Sequence, residues 1–303
     1  MKNRWDILMP QYNGIKLKHK YETFVRIEGT TKFYISTLGQ VAIRNKNGKC
    51  RMTSVKTGKV KIGFVGERKY RAAFVDKLVV NAFLVKIPGR NYIWHKDRNQ
   101  LNNNYRNLML VTKEDYIRLL RREISISDMD YVQYYYPIWA FNPRIQKQKH
   151  TDMISRCRNK HYGIICDLWE KNPESFYRWL EEASYPDVGC NYEIDKDILF
   201  PIGRLYSPET CCLIPKSLNL LFEIPKNYIH KECKDGEEMY WFIPPGSTIG
   251  RIYKPTKEEA KAEYLRLKSD FMKKRIEESK HMVTEKIYNA MQDYVKVLWL
   301  IYR

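Results

Sequence analysis

Short runs of β-branched and aromatic residues, separated by glycines, fill residues 33–84 of the chain. Two of these runs read "FYISTLGQVAIRN" and "KVKIGFVGERKYRAAF". The glycines that punctuate this part of the chain are Gly39, Gly48, Gly58, Gly63 and Gly66. Because β-branched and aromatic residues favour strands and glycine favours the turns that join them, these residues predict a small antiparallel sheet.

Two short helices are predicted on either side of the histidine at position 95. "VDKLVVNAFL" has apolar residues at helical spacing, and these are Val75, Leu78, Val79, Ala82 and Phe83. "TKEDYIRLLRREI" begins with Thr112, a candidate N-cap, and places acids in its first turn and arginines in its last. Apolar spacing therefore predicts the first helix, and the residues at its two ends predict the second.

The C-terminal half alternates between helix and strand signals. Pro173 and Glu174 open a predicted helix in "NPESFYRWLEEA". "MYWFIPPGSTIGRIYKPT" predicts a hairpin that turns at residues 244–246. A long amphipathic helix is predicted from Thr256, with one face formed by Ala260, Tyr264, Leu267 and Phe271.

The length of 303 residues indicates two or three compact units. We predict an α+β fold with a small sheet module in residues 1–122 and a second, mixed part in residues 161–303 that ends in a long helix. Residues 123–160, which include "YVQYYYPIWAFNPRIQKQKH", are aromatic first and basic afterwards. We interpret them as a linker that becomes ordered only on its partner.

The charge of the chain indicates a polyanionic partner. Lysine and arginine number 54 against 35 aspartate and glutamate residues, which gives a formal charge of +19. An excess of this size favours nucleic acid. The chain has no apolar run long enough for a membrane span and no C-x-x-C pair among its seven cysteines. We therefore expect an intracellular protein with no membrane partner, no zinc ribbon and no disulfide framework.

The segment "NYIWHKDRNQLNNNYRNLMLVT", residues 91–112, has the order of parts that phosphodiester hydrolysis requires. The reaction needs a base that takes a proton from water, a cation on the leaving oxygen, and a group that holds the base in its useful tautomer. A histidine at the end of one strand, followed by a tight loop, a second strand and a helix, brings such groups within reach of one another. His95 is the candidate base.

This segment resembles the motif of the HNH (His-Me finger) homing endonucleases of phage introns, which reads roughly D/N-H-x-D-G-N-x-x-N-N-x-x-x-N-L-x-x-V-T. The residues on motif positions are His95, Asp97, Asn99, Asn102, Asn103, Asn107, Leu108, Val111 and Thr112. Upstream, "FYISTLGQV" and "RKYRAAFVDKLVVNAFL" resemble the small sheet module that precedes such cores, so the resemblance covers about residues 21–116.

The resemblance implies a ββα-metal finger in which His95 is the general base and Asn107 orients its imidazole. It implies Mg²⁺ or Mn²⁺ as cofactor, no small-molecule cofactor, duplex DNA as substrate, and a phage protein in the cytoplasm of a bacterial host. It also implies DNA contacts from the cations of the finger, which are Lys96, Arg98 and Arg106.

Three residues depart from the motif. Trp94 and Tyr116 stand where the family has its metal ligands, and Arg98 replaces the loop glycine. Aromatic side chains bind hard cations poorly, so the remaining candidate ligands are Asp97, Asn99 and Asp115. Two functions stay open. One is an impaired HNH endonuclease that nicks or cleaves duplex DNA, and the other is an inactive derivative that binds DNA or inhibits host nucleic-acid machinery.

The region from residue 166 onward resembles the C-terminal halves of phage HNH proteins, which carry an element similar to ethylene-response-factor DNA-binding domains. Within it, "YEIDKDIL" and "YSPETCCLIP" resemble a further finger without its histidine, with Glu193 and Ile194 in that neighbourhood. In the hairpin, Arg251 and Lys254 are candidate DNA contacts. Trp241 and Tyr253 are expected to pack under the long helix. The oligomeric state stays open.

Overall fold

The structure, a computed structural model, describes residues 7–8, 17–19, 21–158, 163–201, 203–225, 227–234, 236–247 and 250–301. The strands are β1 (Ile7–Leu8), β2 (Phe24–Arg26), β3 (Phe33–Ser36), β4 (Val41–Arg44), β5 (Cys50–Met52), β6 (Lys59–Ile62), β7 (Arg71–Phe74), β8 (Tyr92–His95), β9 (Leu108–Val111), β10 (Ile164–Ile165), β11 (Tyr192–Asp195), β12 (Leu205–Tyr206), β13 (Cys212–Pro215), β14 (His230–Lys234), β15 (Glu237–Phe242) and β16 (Ile252–Lys254).

The α-helices are α1 (Val75–Phe83), α2 (Lys113–Leu120), α3 (Pro143–Arg158), α4 (Asp167–Lys171), α5 (Pro173–Ala183), α6 (Lys216–Asn219), α7 (Lys257–Glu278) and α8 (Glu285–Ile301). Short 3₁₀ turns cover Tyr105–Asn107, Ile126–Asp128, Ile138–Phe141, Leu220–Phe222 and Lys280–Met282. The prediction of an α+β fold with small antiparallel sheets is confirmed. Within the described ranges, no helix is both long and apolar enough to cross a bilayer.

The chain divides into two compact units. The first lies within residues 1–150 and 180–189, and the second lies within residues 151–179 and 190–303. Residues 123–158 of the predicted linker, residues 123–160, contain regular elements. This segment contains two 3₁₀ turns and most of its basic run lies in α3, while residues 159–160 lie outside the described residues. Part of this segment belongs to the core of the first unit, because Tyr135 and Ile138 are buried there.

A five-stranded antiparallel sheet, in the order β1-β2-β3-β4-β5, forms one part of the first unit. Phe33 and Ile35 of β3 are completely buried, and β3 pairs with β4 through Phe33 and Ile43. β6 and β7 form a separate hairpin that leads directly into α1. The predicted sheet and the predicted helix α1 are both confirmed. Val75, Val79 and Phe83 of α1 are buried at helical spacing in the core that contains Phe33 and Ile35.

β8 and β9 form an antiparallel pair, and α2 follows directly. The register places His95 opposite Leu108 and Trp94 opposite Met109. All four residues of β9 are buried, so this strand is the apolar centre of the hairpin. Thr112 caps α2 by accepting a hydrogen bond from the backbone N–H of Asp115, as the sequence predicted. The predicted order of strand, loop, strand and helix is therefore present.

In the second unit, β14, β15 and β16 form a three-stranded antiparallel sheet. The predicted hairpin is the β15–β16 pair, and β14 is an additional strand that the sequence did not predict. The predicted start of the long helix is confirmed, because α7 begins directly after Thr256, which is its N-cap. The buried face of α7 contains Ala260, Tyr264, Lys268, Met272 and Ile276, whereas the predicted members Leu267 and Phe271 are half-buried. The predicted order, in which the long helix ends the chain, is wrong because α8 follows α7 and buries a further row of apolar residues.

Candidate functional site

His95 lies at the end of β8 and is buried. Its Nε2 atom is 3.2 Å from Oδ1 of Asn103, whose side chain is also buried. Gly39, in the turn between β3 and β4, supports this contact from behind. A Cβ atom at Gly39 would lie 2.6 Å from Cβ of Asn103, and Gly39 has φ +75°, so only glycine fits there. The turn therefore holds Asn103 against the histidine.

Asn107 has a different partner from the one that the resemblance implied. Its Nδ2 atom donates to Oδ1 of Asp97 (2.8 Å) and to the backbone carbonyl of Asn102 (2.8 Å). Its Oδ1 atom accepts from the backbone N–H of Asp97 at 3.1 Å. The prediction that Asn107 orients His95 is therefore wrong at the level of contacts. Asn103 holds the imidazole and Asn107 holds the loop, a difference that spacing within an asparagine-rich run does not reveal.

Asp97 is fully engaged by the loop. Its Oδ1 atom accepts from the backbone N–H of Asn99 (2.9 Å) and from Asn107, and its Oδ2 atom accepts from Nδ2 of Asn102 (2.6 Å). These hydrogen bonds, that from Asn102 first, lower the pKa of the Asp97 carboxyl group below its usual value. Asp97 is therefore an ionised structural residue of the loop.

Trp94 and Tyr116 contact each other. Their ring centroids are 5.8 Å apart and the rings meet edge to face at 85°. Tyr92 packs on Tyr116 at 5.4 Å, and Trp94 is buried in a cluster that includes Met109. The two positions where the resembled family places metal ligands are therefore filled by one aromatic cluster.

The remaining candidate ligands also have other partners. Oδ1 of Asn99 accepts from the backbone N–H of Leu101 at 3.0 Å. Oδ2 of Asp115 lies 3.0 Å from Oγ1 of Thr112, and its Oδ1 atom lies 3.5 Å from Arg118. Among the residues that the structure describes, no group of three His, Cys, Asp or Glu side chains is placed to hold a metal ion. The two positions that the resemblance gives to metal ligands carry aromatic side chains, which bind a hard cation poorly.

Arg98 occupies a backbone conformation that favours glycine, with φ +61°. This agrees with the glycine that stands at the same position in the resembled motif. The guanidinium carbon of Arg98 lies 5.8 Å from the centroid of the Trp94 ring. Arg98 is exposed, so its side chain is accessible, as a DNA contact requires.

Lys96 and Arg106, the other predicted DNA contacts of the finger, point toward a polar cluster in the first unit. Nζ of Lys96 donates to the Tyr135 hydroxyl group at 3.1 Å. Burial, together with repulsion from Arg106, lowers the pKa of Lys96 below its usual value. Nε of Arg106 donates to the Tyr105 hydroxyl group at 2.9 Å. Neither side chain extends freely from the surface.

Asp187 is the acid of this polar cluster and the sequence did not single it out. It is completely buried, and its Oδ2 atom lies 3.9 Å from Arg106. Its backbone pairs with that of Tyr135 in both directions, at 2.7 and 2.9 Å. Burial raises the pKa of Asp187 to about 6, although Arg106 opposes the shift. Arg106 and Asp187 are 81 residues apart in the chain, so no local sequence pattern indicates that their side chains lie close together.

One face of the β14–β15–β16 sheet carries a group of stacked polar and aromatic side chains. Trp241 stacks on His230 with ring centroids 4.3 Å apart, and the guanidinium carbon of Arg251 lies 4.0 Å from the Trp241 ring centroid. Nη1 of Arg251 donates to Glu232 at 2.9 Å, and the Tyr253 hydroxyl group donates to the same carboxylate at 3.4 Å. We call these five residues the stacked face.

Alternation along β16 separates the two predicted cations of the hairpin. Trp241 pairs with Tyr253, whereas Tyr240 pairs with Lys254, so Lys254 lies on the opposite side from the stacked face. On that opposite side, Phe242 contacts Tyr264 of α7. The expectation that Trp241 and Tyr253 pack under α7 is wrong, and the candidate DNA contacts Arg251 and Lys254 lie on opposite sides of the sheet.

The second hairpin that resembled a finger is the β11–β13 pair. Its register places Asp195 opposite Cys212, as His95 lies opposite Leu108, so Asp195 stands at the histidine position rather than Glu193 or Ile194. Oδ1 of Asp195 accepts two backbone hydrogen bonds, at 2.8 and 2.7 Å, from the loop that follows. Asp195 therefore fixes the start of this loop.

No family model matches the chain, and comparison with curated proteins and with solved structures gives no match either.

Proposed function

We propose that this chain is a duplex-DNA-binding protein whose finger does not perform metal-dependent hydrolysis. The observation that carries the choice between cleavage and binding is the contact between Trp94 and Tyr116. An indole and a phenol that pack on each other offer a hard cation almost no ligand. Without a cation on the leaving oxygen, a histidine alone gives little assistance to phosphodiester hydrolysis.

Support for DNA binding comes from the charge of +19 and from the stacked face. Arg251 exposes 49% of its side chain, and Trp241 and Glu232 fix the direction of its guanidinium group. A positioned arginine on the open face of an antiparallel sheet is suited to phosphates and to base edges in a groove. Nη1 of Arg251 donates to Glu232, and a guanidinium group has five N–H donors in all.

Titration of a labelled duplex with the Arg251→Ala variant tests this proposal. We expect about a tenfold loss of affinity, because one well-placed arginine contributes roughly 1–3 kcal/mol to a base contact. Arg266→Ala is the matched control, since Arg266 exposes 56% of its side chain and pairs with Glu263 and Asp270 on α7. Equal losses in the two variants would move DNA binding away from the stacked face.

A metal-dependent nicking endonuclease is the second candidate function. The contact between His95 and Asn103 favours it, because it holds a buried imidazole in one orientation, as a general base requires. This candidate needs a divalent metal held by groups other than Trp94 and Tyr116. The two candidates differ in whether the protein nicks a supercoiled plasmid.

A further inference from the structure

The β6–β7 hairpin of the first unit presents an outward face on which lysines alternate with buried residues. Along β6, Lys59 and Lys61 are exposed, whereas Val60 and Ile62, which follow them in turn, are buried. Opposite them on β7, Lys59 pairs with Phe74 and Lys61 pairs with Ala72. Lys77, at the start of α1, is also exposed. We call the surface formed by these side chains the ribbon face, and its residues are Lys59, Lys61, Ala72, Phe74 and Lys77.

A tight turn extends this face at its beginning. Lys56 and Lys59 exchange two backbone hydrogen bonds, at 3.0 and 2.9 Å, across Thr57 and Gly58. Both central residues have positive φ, +49° and +72°, as in the turns that suit a twisted hairpin. The turn adds the exposed Lys56 next to Lys59, so a run of cations begins at the end of the hairpin that is remote from the loop joining β6 to β7.

The lysines of the ribbon face have no carboxylate partner among the described residues. Instead, Nζ of Lys59 lies 4.6 Å from the centroid of the Phe74 ring, and Nζ of Lys77 lies 5.3 Å from it. The nearest acid in sequence is Asp76, whose carboxylate accepts a hydrogen bond from the backbone N–H of Lys77. Cations without an anion in their own chain are available to one supplied by a partner.

We propose that the ribbon face binds the phosphate backbone of duplex DNA, as a surface separate from the stacked face. Neighbouring phosphates of one strand advance about 3.4 Å along the axis of a duplex, but they are farther apart in space because the backbone winds around that axis. Residues two apart on a β-strand are separated by about 6.8 Å, so Lys59 and Lys61 are spaced to contact neighbouring phosphates. Ala72, opposite Lys61, is too small to obstruct the approach of a backbone.

The Phe74 ring distinguishes duplex from single-stranded DNA as the partner. Single-strand binding surfaces use aromatic rings whose faces are open for base stacking. Phe74 is 45% exposed, but the ammonium groups of Lys59 and Lys77 lie over its ring. The ring orients the cations and is not an open platform for a base.

The test compares two double variants of equal charge in titrations of a labelled duplex at several salt concentrations. Lys59→Ala/Lys61→Ala alters the ribbon face, and Lys46→Ala/Lys49→Ala removes two exposed lysines from the β4–β5 turn of the same unit. We expect the affinity of the ribbon variant for the duplex to fall at least tenfold. The slope of log binding constant against log salt concentration should become less steep by about 1.8, which corresponds to the loss of two phosphate contacts. The control variant should leave the slope unchanged. Thermal unfolding checks that both variants fold.

Three outcomes would overturn the proposal. Equal losses of affinity in the two double variants would show that net charge alone, and not the position of the lysines, determines binding. Stronger binding of single-stranded oligothymidine that Phe74→Ala abolishes would assign the face to base stacking. Displacement of the duplex by poly-L-glutamate, with the same dependence on Lys59 and Lys61, would assign it to an acidic protein.

This inference rests on the proposed function, because both need duplex DNA as the ligand. Arg251→Ala in the same titration separates them. Binding that depends on Arg251 but not on Lys59 and Lys61 refutes the ribbon face alone. Binding that depends on the two lysines but not on Arg251 refutes the stacked face alone, and a wild-type protein that does not bind refutes both.

Discussion

Trp94 and Tyr116 meet edge to face, with ring centroids 5.8 Å apart. Trp94 comes from β8 and Tyr116 from α2, so this contact joins the strand to the helix that follows the β8–β9 pair. The aromatic pair thus connects β8 to α2 at the two positions that align with metal ligands in the resembled motif.

The aromatic pair should make a measurable contribution to the free energy of unfolding. Trp94→Ala should cost about 3–5 kcal/mol, because the indole is buried. A double-mutant cycle with Trp94→Leu and Tyr116→Leu should give a coupling of about 0.5–1.5 kcal/mol, as expected for two aromatic rings in contact. Urea unfolding of the four proteins measures it, and a coupling of zero would mean that the rings stabilise the finger independently.

The positive φ of Arg98 predicts that glycine is better tolerated there than alanine. Arg98→Gly should be more stable than Arg98→Ala by about 1 kcal/mol, because only glycine adopts the left-handed region without steric cost. Both variants lose the side chain over Trp94, so their difference isolates the backbone. Equal thermal midpoints for the two variants would contradict the assigned loop conformation.

Asn103 and Asn107 should respond differently to substitution by alanine. Asn103→Ala should shift the ¹⁵N resonance of His95 Nε2, because it removes the oxygen that contacts this atom. Asn107→Ala should leave that resonance in place and lower the free energy of unfolding by about 1–3 kcal/mol, since Asp97 and Asn102 lose hydrogen bonds. The reverse pattern would restore Asn107 as the residue that orients His95.

The buried carboxyl group of Asp187 should make the protein less stable as the pH rises through about 6. Its folded pKa, about 6, lies above the unfolded value of 3.8, so between these values the folded state binds more protons. The associated stability is complete below the unfolded pKa and is lost as the pH rises through the folded one, by an amount on the order of 3 kcal/mol.

Urea unfolding between pH 4 and pH 7.5 measures this dependence on Asp187. Asp187→Asn should flatten it, because the amide stays neutral throughout. Part of the change in the free energy of unfolding with pH should remain in the variant, because burial also raises the pKa of Asp195 to about 6. An unchanged slope in Asp187→Asn would show that this carboxyl group does not titrate between those values.

Local signals in the sequence located most of the elements that frame the candidate site. Thr112 caps α2 as predicted, because an N-cap needs only a side chain and a backbone N–H three residues later, and α7 begins after Thr256, where its start was predicted. Pro173 begins α5 for a similar reason, since proline needs no hydrogen-bond partner at a helix start. The strands around His95 followed from short apolar runs.

Features that depend on contacts between distant residues were missed. Residues 123–158 have the composition of a linker, yet Tyr135 is completely buried because Asp187, far along the chain, pairs with its backbone. β14 lacks the apolar alternation of a strand, and its pairing with β15 places His230 against Trp241. The side of the sheet on which Trp241 lies depends on pairing register, which the hairpin sequence alone does not specify.

A supercoiled-plasmid nicking assay with Mg²⁺ and with Mn²⁺, read beside duplex binding by the same preparation, tests most directly whether this protein binds DNA without cleaving it. We predict that the wild-type protein binds the duplex and leaves the plasmid supercoiled with either metal, as His95→Ala does. Brisk nicking by the wild type in Mg²⁺ that His95→Ala abolishes would contradict the proposal and establish a metal site elsewhere around His95.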